Sequence, residues 1–323
     1  GTALLDKPFF TFKDEWEKSR GATVEVTEVP FAELTPKATS EVATGAGNFD
    51  ILQSVNNFMA DIGAIGGLPL DDFIAADKDP SKWPGGPSTS AGKDPFPEEK
   101  MGWDDILPAR RSSVTLGGKI VSIPADGDQL AMYYRKDILS NPDNREKFKK
   151  KYGYDIPLPS PESSFTIEQI ADICEFFTGW DWNGDGKPDY GTTTYGSRYL
   201  AVGWFFIGGY ILSRFVKPWT QFPNEDNTYA FDPRTMEPLV NLPPYIEGLE
   251  LATKVFNKYM SPGVSGYSWD EMRASYAGRG DAVLGVEFTD ICEVVNDPKT
   301  SKVKGKMGHC QLPASDRFWD RKS

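Results

Sequence analysis

The segment Asp181-Trp182-Asn183-Gly184-Asp185-Gly186-Lys187-Pro188-Asp189 sets oxygen-bearing side chains at alternating positions. A glycine stands at its sixth place, where a calcium loop of the EF-hand type needs a sharp turn. Asp181, Asn183, Asp185 and Asp189 would donate side-chain oxygens and Lys187 its backbone carbonyl, a hard-oxygen set suited to a structural Ca2+. The twelfth position is Thr192 rather than Glu, so a distant carboxylate or water must complete the set. The competing reading is a metal-free turn, because Asn-Gly and Asp-Gly pairs turn the chain unaided.

Two carboxylate pairs, Asp126 with Asp128 and Glu287 with Asp290, have the composition of an acid and a base for glycoside hydrolysis. Carboxylates at such places also accept hydrogen bonds from sugar hydroxyls with no chemistry at all. Nine tryptophans fall largely in polar or Gly-rich stretches, Trp204 and Trp269 among them. An aromatic face packs against the C–H face of a sugar ring while neighbouring polar groups bind its hydroxyls. A single histidine, His309, removes most Ser-His-Asp, Cys-His and multi-histidine metal chemistries. Cys174, Cys292 and Cys310 match no zinc or redox spacing; a Cys292–Cys310 disulfide is open, and Cys174 reads as a buried thiol on a helix. A net charge of −12 leaves no basic excess for a phosphate backbone, so no nucleic-acid partner is expected. The Gly-rich stretches lack the strand–GxGxxG–helix or P-loop context of nucleotide sites.

The elements that must carry these residues follow an α/β pattern. A helix is expected over Phe10–Arg20 with Gly21 as its cap, then a strand at Thr23–Val29, a helix at Leu34–Ala43 and a short buried strand at Phe49–Ser54. The Pro- and Gly-rich stretch from Asp77 to Lys100 reads as a surface excursion. Strands are expected at Lys119–Pro124, Leu130–Tyr134 and Asp281–Phe288, with β-type material at 305–313. Helices are expected at 166–177, 199–212 and 245–259, which makes the second half look the more helical. At 323 residues the chain has room for two compact units. No apolar run is long enough for a membrane span.

The order of segments resembles the extracellular solute-binding proteins of bacterial ABC importers, in particular the carbohydrate-binding, maltose-receptor-like family. Val24-Glu25-Val26 with Phe49–Gln53, Gly67–Ile74, Gly117–Ile120 with Ile123-Pro124, Tyr133–Leu139, Gly203–Phe206, Gly278–Leu284, Val303–Gly308 and Leu312-Pro313 carry the likeness. The resemblance implies the two-lobed periplasmic-binding-protein fold, with a ligand cleft between α/β lobes that close on a sugar, oligosaccharide or polyol. Residues 1–125 and 286–313 would form lobe 1, and 126–285 with 314–323 lobe 2, the C-terminal part of lobe 2 being expected to be missing from this chain. Carried over by position, ligand contacts would come from Asn56, Asn57, Asp126, Asp128, Trp204, Tyr210, Tyr267, Trp269, Glu287 and Asp290. The implied protein is a monomeric receptor in the periplasm or outside the cell, free or lipid-anchored, that hands its ligand to permease subunits in the membrane. The alternative from another class is a secreted, calcium-stabilised carbohydrate-active enzyme using a carboxylate pair.

Overall fold

The computed structural model describes residues 7–54, 59–78, 102–127, 129–196 and 235–316. The chain divides into two units, residues 1–127 and 128–323.

The first unit carries the helices α1 (Lys7–Arg20), α2 (Phe31–Thr44), α3 (Met59–Ile65), α4 (Asp71–Lys78) and α5 (Pro108–Ser113). A hairpin of β1 (Thr115–Leu116) and β2 (Lys119–Ile120) follows. Both long helices end where glycine allows a left-handed turn: the Gly21 N–H donates to the Glu17 carbonyl at 2.9 Å, and Gly45 has φ 61°. The core here consists of small clusters, Ala38 with Ile62 and Ile74 with Trp103 and Val114. The strands expected at 23–29 and 49–54 do not form. The Val24 amide donates to Glu17 Oε1 at 2.7 Å instead of to a neighbouring strand, and Ile51 is 86% exposed. Alternating valines make a segment fit for a sheet, but a strand exists only where a second backbone pairs with it. The strand expected over 119–124 shortens to two residues for the same reason.

The second unit contains the main sheet. Its elements are β3 (Leu130–Arg135), α6 (Lys136–Leu139), α7 (Pro142–Tyr152), α8 (Ile167–Phe177), β4 (Tyr190–Thr193), α9 (Pro243–Tyr259), α10 (Trp269–Arg273), β5 (Ala282–Phe288), α11 (Ile291–Asn296) and β6 (Met307–Cys310). The strand order is β4-β5-β3-β6, with β4 parallel to β5 and the other pairs antiparallel. β5 lies between two neighbours and is buried from Ala282 to Glu287, which explains its near-continuous apolar sequence. α8 starts at a capping box in which Thr166 and Gln169 satisfy each other's backbone amides. Ile167, Ile170, Ile173, Cys174 and Phe177 then follow at helical spacing and are buried. The helix backbone comes so close to the sheet that a Cβ on Gly191 of β4 would stand 2.3 Å from the Cys174 Cα, so only glycine fits there.

Three readings are settled differently by the structure. Among the described residues the four-stranded sheet lies in the second half, and its strands come from segments far apart in sequence. Residues 286–313 also group with residues 128–285 and not with residues 1–125: β5 runs through position 286 without a break, and β6 pairs with β3 from Met132↔Cys310 to Arg135↔Met307. The three cysteines are free, with Cys292 exposed and Cys174 and Cys310 buried, so the Cys292–Cys310 disulfide does not form. The helix expected over 199–212 lies outside the described residues.

Candidate functional site

The end of β5 and the helix before it gather several aromatic and charged side chains. The turn into α10 is closed by a capping box between Ser268 and Glu271, and the helix runs on as a π-type turn over Ala274–Arg279. Trp269 and Arg273 are four residues apart, hence on one face of this helix. The Trp269 ring lies 5.0 Å from that of Tyr195 and stacks on Phe288, with centroids 6.3 Å apart and planes 27° from parallel. One turn on, Arg273 Nη2 donates to Asp290 Oδ1 and Oδ2 at 2.7 and 2.8 Å. The same guanidinium reaches Glu287 through Nε and Nη2, each at 3.4 Å.

Burial separates the two carboxylates. The Glu287 side chain is 0% exposed, and its Oε1 also accepts the Phe288 N–H at 2.8 Å. The Asp290 side chain is 21% exposed, so of the pair it is the one that meets solvent. A buried guanidinium opposite a buried carboxylate stands only because each compensates the other, since either alone would carry a large desolvation cost. Tyr133 lies behind this pair with its hydroxyl 3.9 Å from Cys292 Sγ. Burial, then the contact with Cys292 and the charges of Glu287 and Asp290, push its pKa up, which keeps the phenol neutral. The hydroxyls of Tyr195, Tyr276 and Thr193 are buried without a hydrogen-bond partner, and the first belongs to the ring packed on Trp269.

Of the residues expected to bind ligand, Trp269, Glu287 and Asp290 come together here. Tyr267 does not join them: its hydroxyl donates to Ser261 Oγ at 2.9 Å and accepts from Arg279 Nη2 at 3.4 Å. Asp126 is exposed and belongs to the first unit. Asn56, Asn57, Asp128, Trp204 and Tyr210 lie outside the described residues. Arg273 and Tyr195 were not anticipated. A sequence signal exists on the acidic side: Glu287 is a lone charge in an apolar strand. A charge buried in such a strand needs a partner, and here it is Arg273.

The 181–189 loop is held by its own hydrogen bonds. Asp181 Oδ1 accepts the backbone N–H groups of Gly184 and Asp185, and its Oδ2 that of Gly186. Asn183 Oδ1 accepts from Asp185 N–H, and Asp185 Oδ1 from Lys187 N–H. Asp189, nearly fully buried, accepts from the backbone amides of Trp182 and Asn183 and from Asn183 Nδ2. Burial raises the Asp189 pKa, with Asp185 and Asp281 adding to the rise. Gly186 sits at φ 81° and gives the expected turn. Among the described residues, no group of three or more His, Cys, Asp or Glu side chains is placed to hold a metal ion. Trp182 anchors the loop, its ring lying 5.4 Å from the buried Arg135 guanidinium and its Nε1 donating to the Phe177 carbonyl.

Several solved structures are similar in fold to this chain. An Agrobacterium vitis ABC-transporter solute-binding protein with bound D-mannitol superposes with a TM-score of 0.65 at 22% identity, over 96% of this chain and 61% of that one. An Agrobacterium radiobacter counterpart in complex with ribitol gives 0.65 at 19% identity, over 97% and 64%. A maltose-bound T. maritima protein gives 0.66 at 20% identity, over 97% and 65%. The chain thus spans somewhat less than two thirds of the length of these structures, and its fold is their two-lobed α/β fold. No curated protein sequence matches it significantly. The model of the bacterial extracellular solute-binding protein family matches residues 11–212, more than half of the sequence, and this chain belongs to that family.

Proposed function

We propose that this protein is the ligand-binding receptor of a bacterial ABC importer. It captures a sugar, oligosaccharide or polyol by lobe closure outside the cytoplasmic membrane and passes it unchanged to a permease. The observation that carries this reading is the Tyr195–Trp269–Phe288 stack beside Asp290 at the end of β5. It brings aromatic rings and a carboxylate acceptor held by Arg273 to one region of the second unit, the two kinds of group a polyhydroxylated ligand asks of a site. The mannitol, ribitol and maltose bound by proteins of the same fold define the panel to try first. The hydrolase reading is disfavoured because Glu287 and Asp290 both accept from one guanidinium, so neither is placed as a proton donor.

Calorimetric titration against those three ligands and their oligomers, with the ligand recovered and analysed, tests the reading. One-to-one binding with unchanged ligand is expected, and Trp269→Ala should weaken it about tenfold or more. A chemically altered sugar would establish an enzyme instead. Size-exclusion chromatography with light scattering is expected to give a monomer with and without ligand.

A structural calcium in the 181–189 loop is part of the proposal, resting on the alternation of its oxygens and the Gly186 turn. Calcium at about 100 times its Kd would stabilise the loop's unit by about 2.7 kcal/mol. Melting curves that coincide in calcium and in chelator would rule the ion out.

A further inference from the structure

We propose that Gly196 is a positioning residue of this site: having no side chain, it lets the segment 261–267 dock on the chain just beyond β4, and that contact sets Trp269 against Tyr195. This role rests on the receptor reading above and adds how the aromatic pair is held.

The Tyr195 side chain is 1% exposed and its hydroxyl has no hydrogen-bond partner among the described residues, so packing and its own backbone fix the ring. The next residue, Gly196, donates its N–H to the Tyr267 carbonyl at 3.1 Å. A Cβ on Gly196 would stand within 2.8 Å of Val264 O, Val264 C and Ser265 Cα, so the two segments meet main chain to main chain. Val264 opens the tight turn Val264–Gly266 and is itself buried, which anchors the middle of the segment. Its ends are tied together as well. The Tyr267 hydroxyl donates to Ser261 Oγ at 2.9 Å and accepts from Arg279 Nη2 at 3.4 Å, and Arg279 Nε donates to Asp281, beside the start of β5, at 2.6 Å. Ser268 follows at once and closes the capping box of α10, whose first residue is Trp269. Tyr195 thus stands one residue before the Gly196–Tyr267 contact and Trp269 two residues after it, and their rings meet at 5.0 Å. One backbone contact places both rings, which is how a supporting residue holds a binding pair without touching the ligand.

The test compares Gly196→Ala with Gly191→Ala, whose Cβ also meets backbone within 2.7 Å but on the α8 side of β4. The indole N–H resonance of Trp269, assigned in a proton–nitrogen correlation spectrum by its loss in Trp269→Phe, reads ring placement without ligand. Calorimetry with D-mannitol, ribitol and maltose reads binding. To clear Val264 and Ser265 the alanine must part the segment from residue 196 by roughly 1 Å. The Trp269 resonance should therefore move in Gly196→Ala and hold its place in Gly191→Ala. The dissociation constant should rise about tenfold in the first, near the loss expected on removing the ring, and stay within about twofold in the second. In a Trp269→Ala background Gly196→Ala should cost no further affinity, because a residue that acts through the ring then has nothing to move. Tyr267→Phe releases the same segment from Ser261 and Arg279 without crowding it; it should move the same resonance and serves where Gly196→Ala fails to fold. A Trp269 resonance that stays in place in whichever of these two variants folds, or losses that multiply in the double variant, overturns the positioning role and leaves the receptor reading standing. A wild-type chain that binds none of the three ligands overturns both.

Discussion

Gly191→Ala tests whether the contact between α8 and β4 is as close as it must be for this core. The new Cβ would stand 2.3, 2.4 and 2.7 Å from Cα, O and C of Cys174, all backbone atoms that no rotamer change can move. Relief to an ordinary contact of about 3.4 Å requires helix and strand to part by roughly 1 Å, a gap that forfeits a quarter to a half of each dispersion well along the seam. That seam includes Ile167, Ile170, Ile173 and Phe177, each almost wholly buried. Overpacking of this kind costs about 1–3 kcal/mol, and the rigid backbone on both sides puts the substitution near 3. For a unit of this size, about 3 kcal/mol lowers the melting temperature by roughly 6–12 °C. Calorimetric melting of the variant beside Gly266→Ala is the assay, since a Cβ on Gly266 meets nothing within 4 Å and its substitution should change little. If Gly191→Ala melts within about 2 °C of the wild type, the sheet and helix are not packed as described.

Further outcomes follow from single groups. Hydrogen bonds from Lys151 and Tyr259, with the charges of Lys151 and Lys254, lower the Glu175 pKa from 4.5 to about 2. Its contribution is therefore fully present above pH 4.5 and lost as pH falls through 2, and the wild type should lose melting temperature over that window faster than Glu175→Gln; parallel curves would refute this. Burial pushes the Cys174 thiol up and that of Cys310 to about 11, whereas Cys292 is exposed, so iodoacetamide at pH 8 should modify Cys292 alone until the protein unfolds, as read by peptide mass spectrometry. The Tyr276 hydroxyl is buried without a partner, so Tyr276→Phe should leave stability unchanged or raise it by up to about 1 kcal/mol; a loss of that size would reveal a hydrogen bond that stabilises the fold.

The sequence by itself determined the local elements and the broad class. α8 is readable from its helical apolar spacing behind a Thr166–Gln169 cap, β5 from an apolar run ended by Glu287 and Phe288, and the turn at Gly186 from a spacing that only glycine satisfies. These are properties of neighbouring residues, and periodicity reports them directly. The order of segments also pointed to the solute-binding family before any coordinates. The tertiary structure decided what depends on distant partners. Thr23–Val29 has the pattern of a strand and forms none, because a ladder is made by a second backbone. Residues 286–313 belong with the second unit because β6 pairs with β3 across more than 170 positions of sequence. The Arg273–Glu287–Asp290 cluster is likewise a product of the fold: its members lie 14 and 17 positions apart, and only the turn from α10 into β5 brings them within hydrogen-bonding reach. Their types announced a need for partners, and the packing of that helix against the strand end chose which partners they found.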